Sequence, residues 1–109
     1  MEDCVFCRIA SGEIPSQIVY RDKRCFVIHD ISPITPLHLL IVPERHITSL
    51  ESSAEMAGHL LAIASKVAIG KGVDRTGYRL IVNYGPDSGQ EVAHLHVHLL
   101  AGRRMSSIG

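Results

Sequence analysis

The stretch His94-Leu95-His96-Val97-His98-Leu99-Leu100 carries a histidine at every second position. In an extended chain successive side chains point to opposite faces, and alternate residues lie about 6.5–7 Å apart. Three imidazoles then share one face, and Leu95, Val97 and Leu99 share the other. This is a strand with one side to bury and one side available for chemistry. A middle histidine flanked on both sides by imidazoles is an unusual arrangement to build for packing alone.

Outward from this run the chain alternates β-rich segments with turn signals. Ile18-Val19-Tyr20 and Cys25-Phe26-Val27-Ile28 are separated by Arg21-Asp22-Lys23-Arg24 and predict a hairpin. Pro33 and Pro36 mark a loop from Asp30 to Pro36. Leu37 to Val42 predicts a third strand stopped by Pro43. Tyr78 to Val82 predicts a fourth, and His94 to Leu100 a fifth. Tyr84 to Glu91 reads as a loop. Cys4 to Ala10 reads as a short turn or helix ended by Ser11-Gly12. Ser52-Ser53-Ala54-Glu55 has the pattern of a capping box with Ser52 as N-cap. Met56, Leu60, Ile63 and Val67 follow on one helical face, and Gly70 and Gly72 stop the helix. The expectation is an α+β fold, with a five-stranded, mainly antiparallel sheet, one long helix over one face and a short N-terminal helix.

The 109 residues suit one domain spanning 1–109, and 46% are hydrophobic, enough for one core. Eleven basic residues balance eleven acidic ones. A neutral chain lacks the broad positive footprint of a duplex nucleic-acid or anionic-membrane binder, so any phosphate must be held locally. Met1-Glu2-Asp3-Cys4 is acidic and does not read as a secretory signal, and no stretch approaches a transmembrane length. Three cysteines, at 4, 7 and 25, argue against a disulfide framework. A cytoplasmic, reduced protein is the expectation.

A neutral imidazole is a competent nucleophile, base or metal ligand near neutral pH. A histidine that attacks phosphorus needs one ring nitrogen free and the other hydrogen-bonded, to fix its tautomer. The same run also suits metal, since histidines at alternate strand positions can hold a catalytic zinc. Cys4-x-x-Cys7 has the spacing of a zinc half-site and needs two more ligands. The candidates are His29, His38, His46, His59, His94, His96 and His98. The loop Asn83-Tyr84-Gly85-Pro86-Asp87-Ser88-Gly89-Gln90 suits a phosphate site: Gly89 allows close backbone approach, and Asn83 and Gln90 bring uncharged donors. Asp30, between a strand and a proline loop, is placed to accept hydrogen bonds from a ribose. Cys25 reads as a small apolar strand residue.

Together these residues resemble the histidine triad superfamily, whose motif is His-x-His-x-His followed by apolar residues. The resemblance extends over nearly the whole chain. His29-Asp30-Ile31-Ser32-Pro33, Pro36-Leu37-His38, Val42-Pro43-Glu44-Arg45-His46-Ile47, Asn83 with Gly89-Gln90, and Gly102-Arg103-Arg104-Met105 fall in the family's order. The chain is most similar to the nucleotide-binding branch in its bacterial Cys-x-x-Cys form. That resemblance implies a hydrolase of purine nucleoside phosphoramidates or related nucleotidyl substrates, with AMP or GMP as the nucleotide and no organic cofactor. His96 would attack the α-phosphorus, supported by His98 and His38. Asp30 would hold the ribose, Ile31 would line the base pocket, and Asn83, Gly89, Gln90 and Val92 would bound the phosphate and ribose region. Cys4, Cys7, His46 and His94 would hold a structural zinc. The resemblance also implies a homodimer, joined through the helix from about 53 to 70 and the fourth strand into a ten-stranded sheet.

The chain departs from the branch at three places. Glu91 stands where many relatives carry serine, Ala93 where an aromatic is common, and the tail from Met105 lacks tryptophan. Three other functions compete: dinucleoside polyphosphate hydrolysis, a nucleotide-binding interaction protein with little turnover, and a zinc hydrolase that uses the three histidines as ligands.

Overall fold

The alternating and continuous apolar runs become five strands and two α-helices, with a short 3-10 helix at Pro86–Ser88, in a computed structural model that describes residues 3–108. The order is α1 (Val5–Ala10), β1 (Ile18–Arg21), β2 (Cys25–His29), β3 (Leu37–Pro43), α2 (Ala54–Gly70), β4 (Tyr78–Val82) and β5 (Val97–Ala101). The strands form one antiparallel sheet in the order β1-β2-β3-β5-β4. The α+β architecture is the one the sequence predicts.

Strands β2 and β3 are apolar on both faces for most of their length. Cys25, Val27, Leu39 and Ile41 pack with Met56, Leu60, Ile63 and Val67 of α2, and Leu95, Val97 and Leu99 join them. Phe26, Ile28, Leu40 and Val42 point the other way, against Cys4 and Phe6. Covering on both faces explains why β2 and β3 read as unbroken apolar runs rather than alternating ones. Side chains as fully buried as Phe26 and Leu60 each contribute about 1.5–3 kcal/mol relative to exposure.

The helix α2 presents the predicted stripe and ends as predicted. The amide of Gly72 donates to the Ile69 carbonyl and that of Val73 to Ala68, a Schellman arrangement with Gly72 at φ +76°. Its start differs. Ser53 is the N-cap and makes no side-chain cap bond, while the Ser52 hydroxyl donates to the Ser49 carbonyl. Glu55 pairs with Arg24 instead of closing a capping box. A tight turn before the helix takes the serine that the local pattern assigns to the cap.

The fifth strand also starts later than predicted, at Val97 rather than His94. Val97 pairs with Ile41 of β3, so Leu95 would fall opposite Pro43, which has no N–H to donate. The Leu95 amide donates instead to the Ile47 carbonyl at 2.6 Å. Residues 94–96 thus follow the segment after β3, although the alternation of faces persists: Leu95 packs on the α2 side, while His94 and His96 touch Phe6.

Candidate active site and metal centre

The three histidines share one side of the sheet but do different work. The Nδ1–H of His96 donates to the His94 carbonyl at 2.7 Å, which leaves the Nε2 lone pair free. The ring is 8% exposed and lines a cavity of about 460 Å³ together with His98, Asp30, Ile31 and Asn83.

His98 is oriented by a relay that begins at a backbone amide. The Ile34 N–H donates to His38 Nδ1 at 3.2 Å, so His38 carries its proton on Nε2. That proton is donated to His98 Nδ1 at 2.9 Å, leaving His98 with N–H at Nε2. Burial pushes the pKa of His38 down, against the pull of Asp30, whose Oδ2 lies 3.4 Å from His38 Nε2. Burial, with His96 and His38 beside it, pushes His98 down to about 4. Both rings are therefore neutral at pH 7, and His98 offers an N–H donor to the cavity rather than a positive charge. His38 stands behind His98 and does not line the cavity. Its register explains this, since His38 lies opposite Leu100, two residues beyond His98.

The other expected binding residues surround the same space. Asp30 closes the end of β2, with Oδ1 accepting from the Ser32 amide at 2.8 Å. Ile31 stands out from the loop, 98% exposed. Asn83, Gly89, Gln90 and Val92 form the opposite wall with Glu91. The side chain of Gln90 is largely occupied within its loop, with Oε1 accepting from the Gly85 amide and Nε2 donating to the Val92 carbonyl. It holds the loop's shape and keeps one N–H free. Gly89 adopts φ +82° with open space at the Cβ position, so the turn's conformation requires glycine there.

The fourth group of donors lies on the far side of Phe6. Cys4 Sγ is 3.2 Å from His94 Nδ1, Cys7 Sγ is 3.6 Å from the same nitrogen, and Cys7 Sγ is 3.3 Å from His46 Nδ1. All four ligand atoms lie within 4.8 Å of one another. A tetrahedron with zinc–sulfur and zinc–nitrogen bonds of ordinary length has edges of about 3.3–3.8 Å, close to the separations of 3.2, 3.3 and 3.6 Å, so the donor set is compatible with zinc. The Nε2–H of His94 donates to the Pro43 carbonyl at 2.9 Å, which turns the Nδ1 lone pair toward the thiols. Burial pushes His94 down to about 4 and keeps that nitrogen unprotonated. The three triad histidines do not converge as a ligand set of their own: His94 Nδ1 faces the cysteines, His96 Nδ1 is bonded to backbone, and His98 Nδ1 meets His38.

A family model, the HIT domain, matches residues 11–105. The chain belongs to the HIT family. The HIT fold extends to close structural likeness with solved members. A histidine triad protein from Clostridium difficile is 43% identical and superposes with a TM-score of 0.95, covering 100% of this chain and 98% of that one. A HIT family hydrolase from Legionella pneumophila is 43% identical with a TM-score of 0.90 over 94% of this chain and 96% of that one. A zinc-bound histidine triad family protein from Mycobacterium smegmatis is 31% identical with a TM-score of 0.84, covering 94% and 76%.

Sequence reasoning names residues that the fold brings around one cavity and one donor cluster, and misses the contacts that aim them. Phe6 touches both His94 and His96, and the Ile34 amide and the Pro43 carbonyl fix two tautomers. The position of Phe6 between Cys4 and Cys7 is the one sequence signal that could have singled it out.

Proposed function

We propose that this HIT protein is a nucleotidyl hydrolase that cleaves purine nucleoside phosphoramidates through a nucleotidyl-histidine. The observation that carries the reading is His96: its Nδ1 is tied to backbone, and its Nε2 is free beside a cavity that also holds a neutral imidazole and a carboxylate. A purine nucleoside monophosphate unit such as AMP or GMP is suited to that space. Asp30 takes the ribose hydroxyls, Ile31 covers the base, and Asn83, Gly89, Gln90 and Val92 bound the phosphate and ribose.

His96 Nε2 attacks the α-phosphorus, and the bond from phosphorus to the leaving nitrogen breaks. That nitrogen keeps the electron pair, takes a proton from solvent, to which the attacking water later returns one, and departs as the amine. The Nε2–H of His98 donates to a phosphate oxygen as charge builds on it. Water then attacks the phosphorus, the bond to His96 breaks, and the nucleoside monophosphate is released. His38 holds the His98 tautomer throughout.

Cys4, Cys7, His46 and His94 are proposed to hold zinc with a structural role, because four protein ligands leave no open position for substrate. The chain is proposed to act as a homodimer joined through α2 and β4. The deciding experiment compares wild type with His96→Asn for adenosine phosphoramidate hydrolysis and for AMP binding. Turnover is expected to fall below detection while AMP affinity stays within about threefold. Turnover retained by the variant overturns the assignment.

A further inference from the structure

The helix α1, which carries Cys7 and follows Cys4, also supplies one wall of the His96 cavity. Val5, Phe6 and Ile9 of α1 line that cavity, and Cys4 and Cys7 bracket Phe6 in the chain. The Phe6 ring meets His94 edge-on at 5.5 Å and His96 at 4.9 Å, with interplanar angles of 77° and 60°. It is 5% exposed and packs with Phe26, Leu40 and Val42. Phe6 therefore stands between a metal-type donor set and the proposed nucleophile, and both of its flanks are pinned by that donor set.

We propose that Phe6 is a positioning residue for His96, and that occupancy of the Cys4/Cys7/His46/His94 centre is coupled through it to nucleotide binding. This rests on the reading of the His96 cavity as the nucleotide site. With the centre filled, Cys4 and Cys7 are fixed to His46 and His94, which holds α1 against the sheet. Phe6 then keeps its edge-to-face contact with His96, and Val5 and Ile9 complete the cavity wall. The helix α1 is six residues long, has no side-chain cap at Cys4, and packs through Phe6 against Phe26, Leu40 and Val42. A helix that short is marginal without anchoring. Ordering it by either ligand lowers the cost of ordering it for the other. The coupling must then be reciprocal: zinc tightens AMP by the same factor that AMP tightens zinc.

The test is calorimetric titration of AMP into zinc-loaded and chelator-stripped wild-type protein, and of zinc into stripped protein with and without AMP. We expect one zinc per chain and an affinity ratio of about fivefold or more, equal in both directions. In zinc-loaded Phe6→Leu we expect zinc affinity to be unchanged, AMP affinity to drop by about three- to tenfold, the scale of a lost edge-to-face aromatic contact, and the ratio to approach one. In that variant kcat also falls, which loss of packing at a remote site would not produce. AMP affinity equal in the loaded and stripped forms overturns the coupling while leaving the nucleotide reading intact. No AMP binding in either form overturns both. If circular dichroism shows the stripped protein unfolded, zinc-loaded Phe6→Leu decides, and wild-type AMP affinity and kcat in that variant overturn the proposal.

Discussion

His98 is a neutral donor because its other nitrogen is filled by His38, whose own is filled by the Ile34 amide. The folded pKa of about 4 lies below the ordinary value of 6.5. As pH falls, the unfolded chain takes up the His98 proton first, so stability from this group is fully present above about 6.5 and is lost between there and about 4. His38 is shifted in the same direction by burial and adds to the loss over the acid side of that window. The denaturant midpoint is therefore expected to fall from pH 7 to pH 4.5, and the fall to be shallower in His98→Asn. Equal slopes for the two proteins would refute the relay. Asp22 acts in the same sense at lower pH. Burial alone would raise its carboxyl, but the Arg24 and Cys25 amides, His59 and Tyr20 together hold it well below the usual carboxylate range. It keeps β1, β2 and α2 together at neutral pH and loosens only in strong acid.

At the scale of elements, two glycines at positive φ separate conformation from space. Gly72 caps α2 at φ +76°, and a Cβ there would meet nothing within 4 Å. Gly102 follows β5 at φ +100°, and a Cβ there would lie 2.8 Å from the Pro36 Cβ. Gly72→Ala is expected to cost about 1 kcal/mol, from backbone alone. Gly102→Ala is expected to cost about 2–4 kcal/mol, because the loop before β3 must also move. Thermal unfolding of the two variants checks the order, and equal costs would show that the Pro36 contact yields freely. The elements themselves are legible in the chain because their faces are written as periods: every second residue in β5, and a helical stripe at Met56, Leu60, Ile63 and Val67. The site is legible to the same depth, since alternation puts His94, His96 and His98 on one side and the cysteine spacing marks a half-site. What aims the histidines is not legible. The Ile34 amide, the Pro43 carbonyl and the Ile47 carbonyl are backbone groups that every residue carries, and the fold alone decides which of them meet a ring or a strand end. The late start of β5 has the same origin, in a backbone partner supplied from a distant segment, whereas the capping box is lost to a local turn at Ser49 and to the Arg24 side chain.

At the scale of the molecule, β4 is an edge strand whose residues are all half-buried, and α2 exposes Leu61 at 44% and Ile69 at 61%. The proposed homodimer buries these, and sedimentation is expected to give twice the chain mass of 11.9 kDa at micromolar concentration. Leu61→Lys with Ile69→Lys is expected to sediment as a folded monomer. A wild-type monomer would remove the dimer from the proposal. The proposed metal centre draws on residues far apart in the chain. Cys4 meets His94 across 90 positions, and Cys7 meets His46 across 39. Closing so wide a loop cannot precede the pairing of β3 with β5, which carries His94 into place. A chain with β5 mispaired by one residue turns His94 to the wrong face and lacks its fourth donor. The proposed zinc centre would thus work as a checkpoint on assembly, offering four donors to an ion only in molecules whose last strand has found the right register.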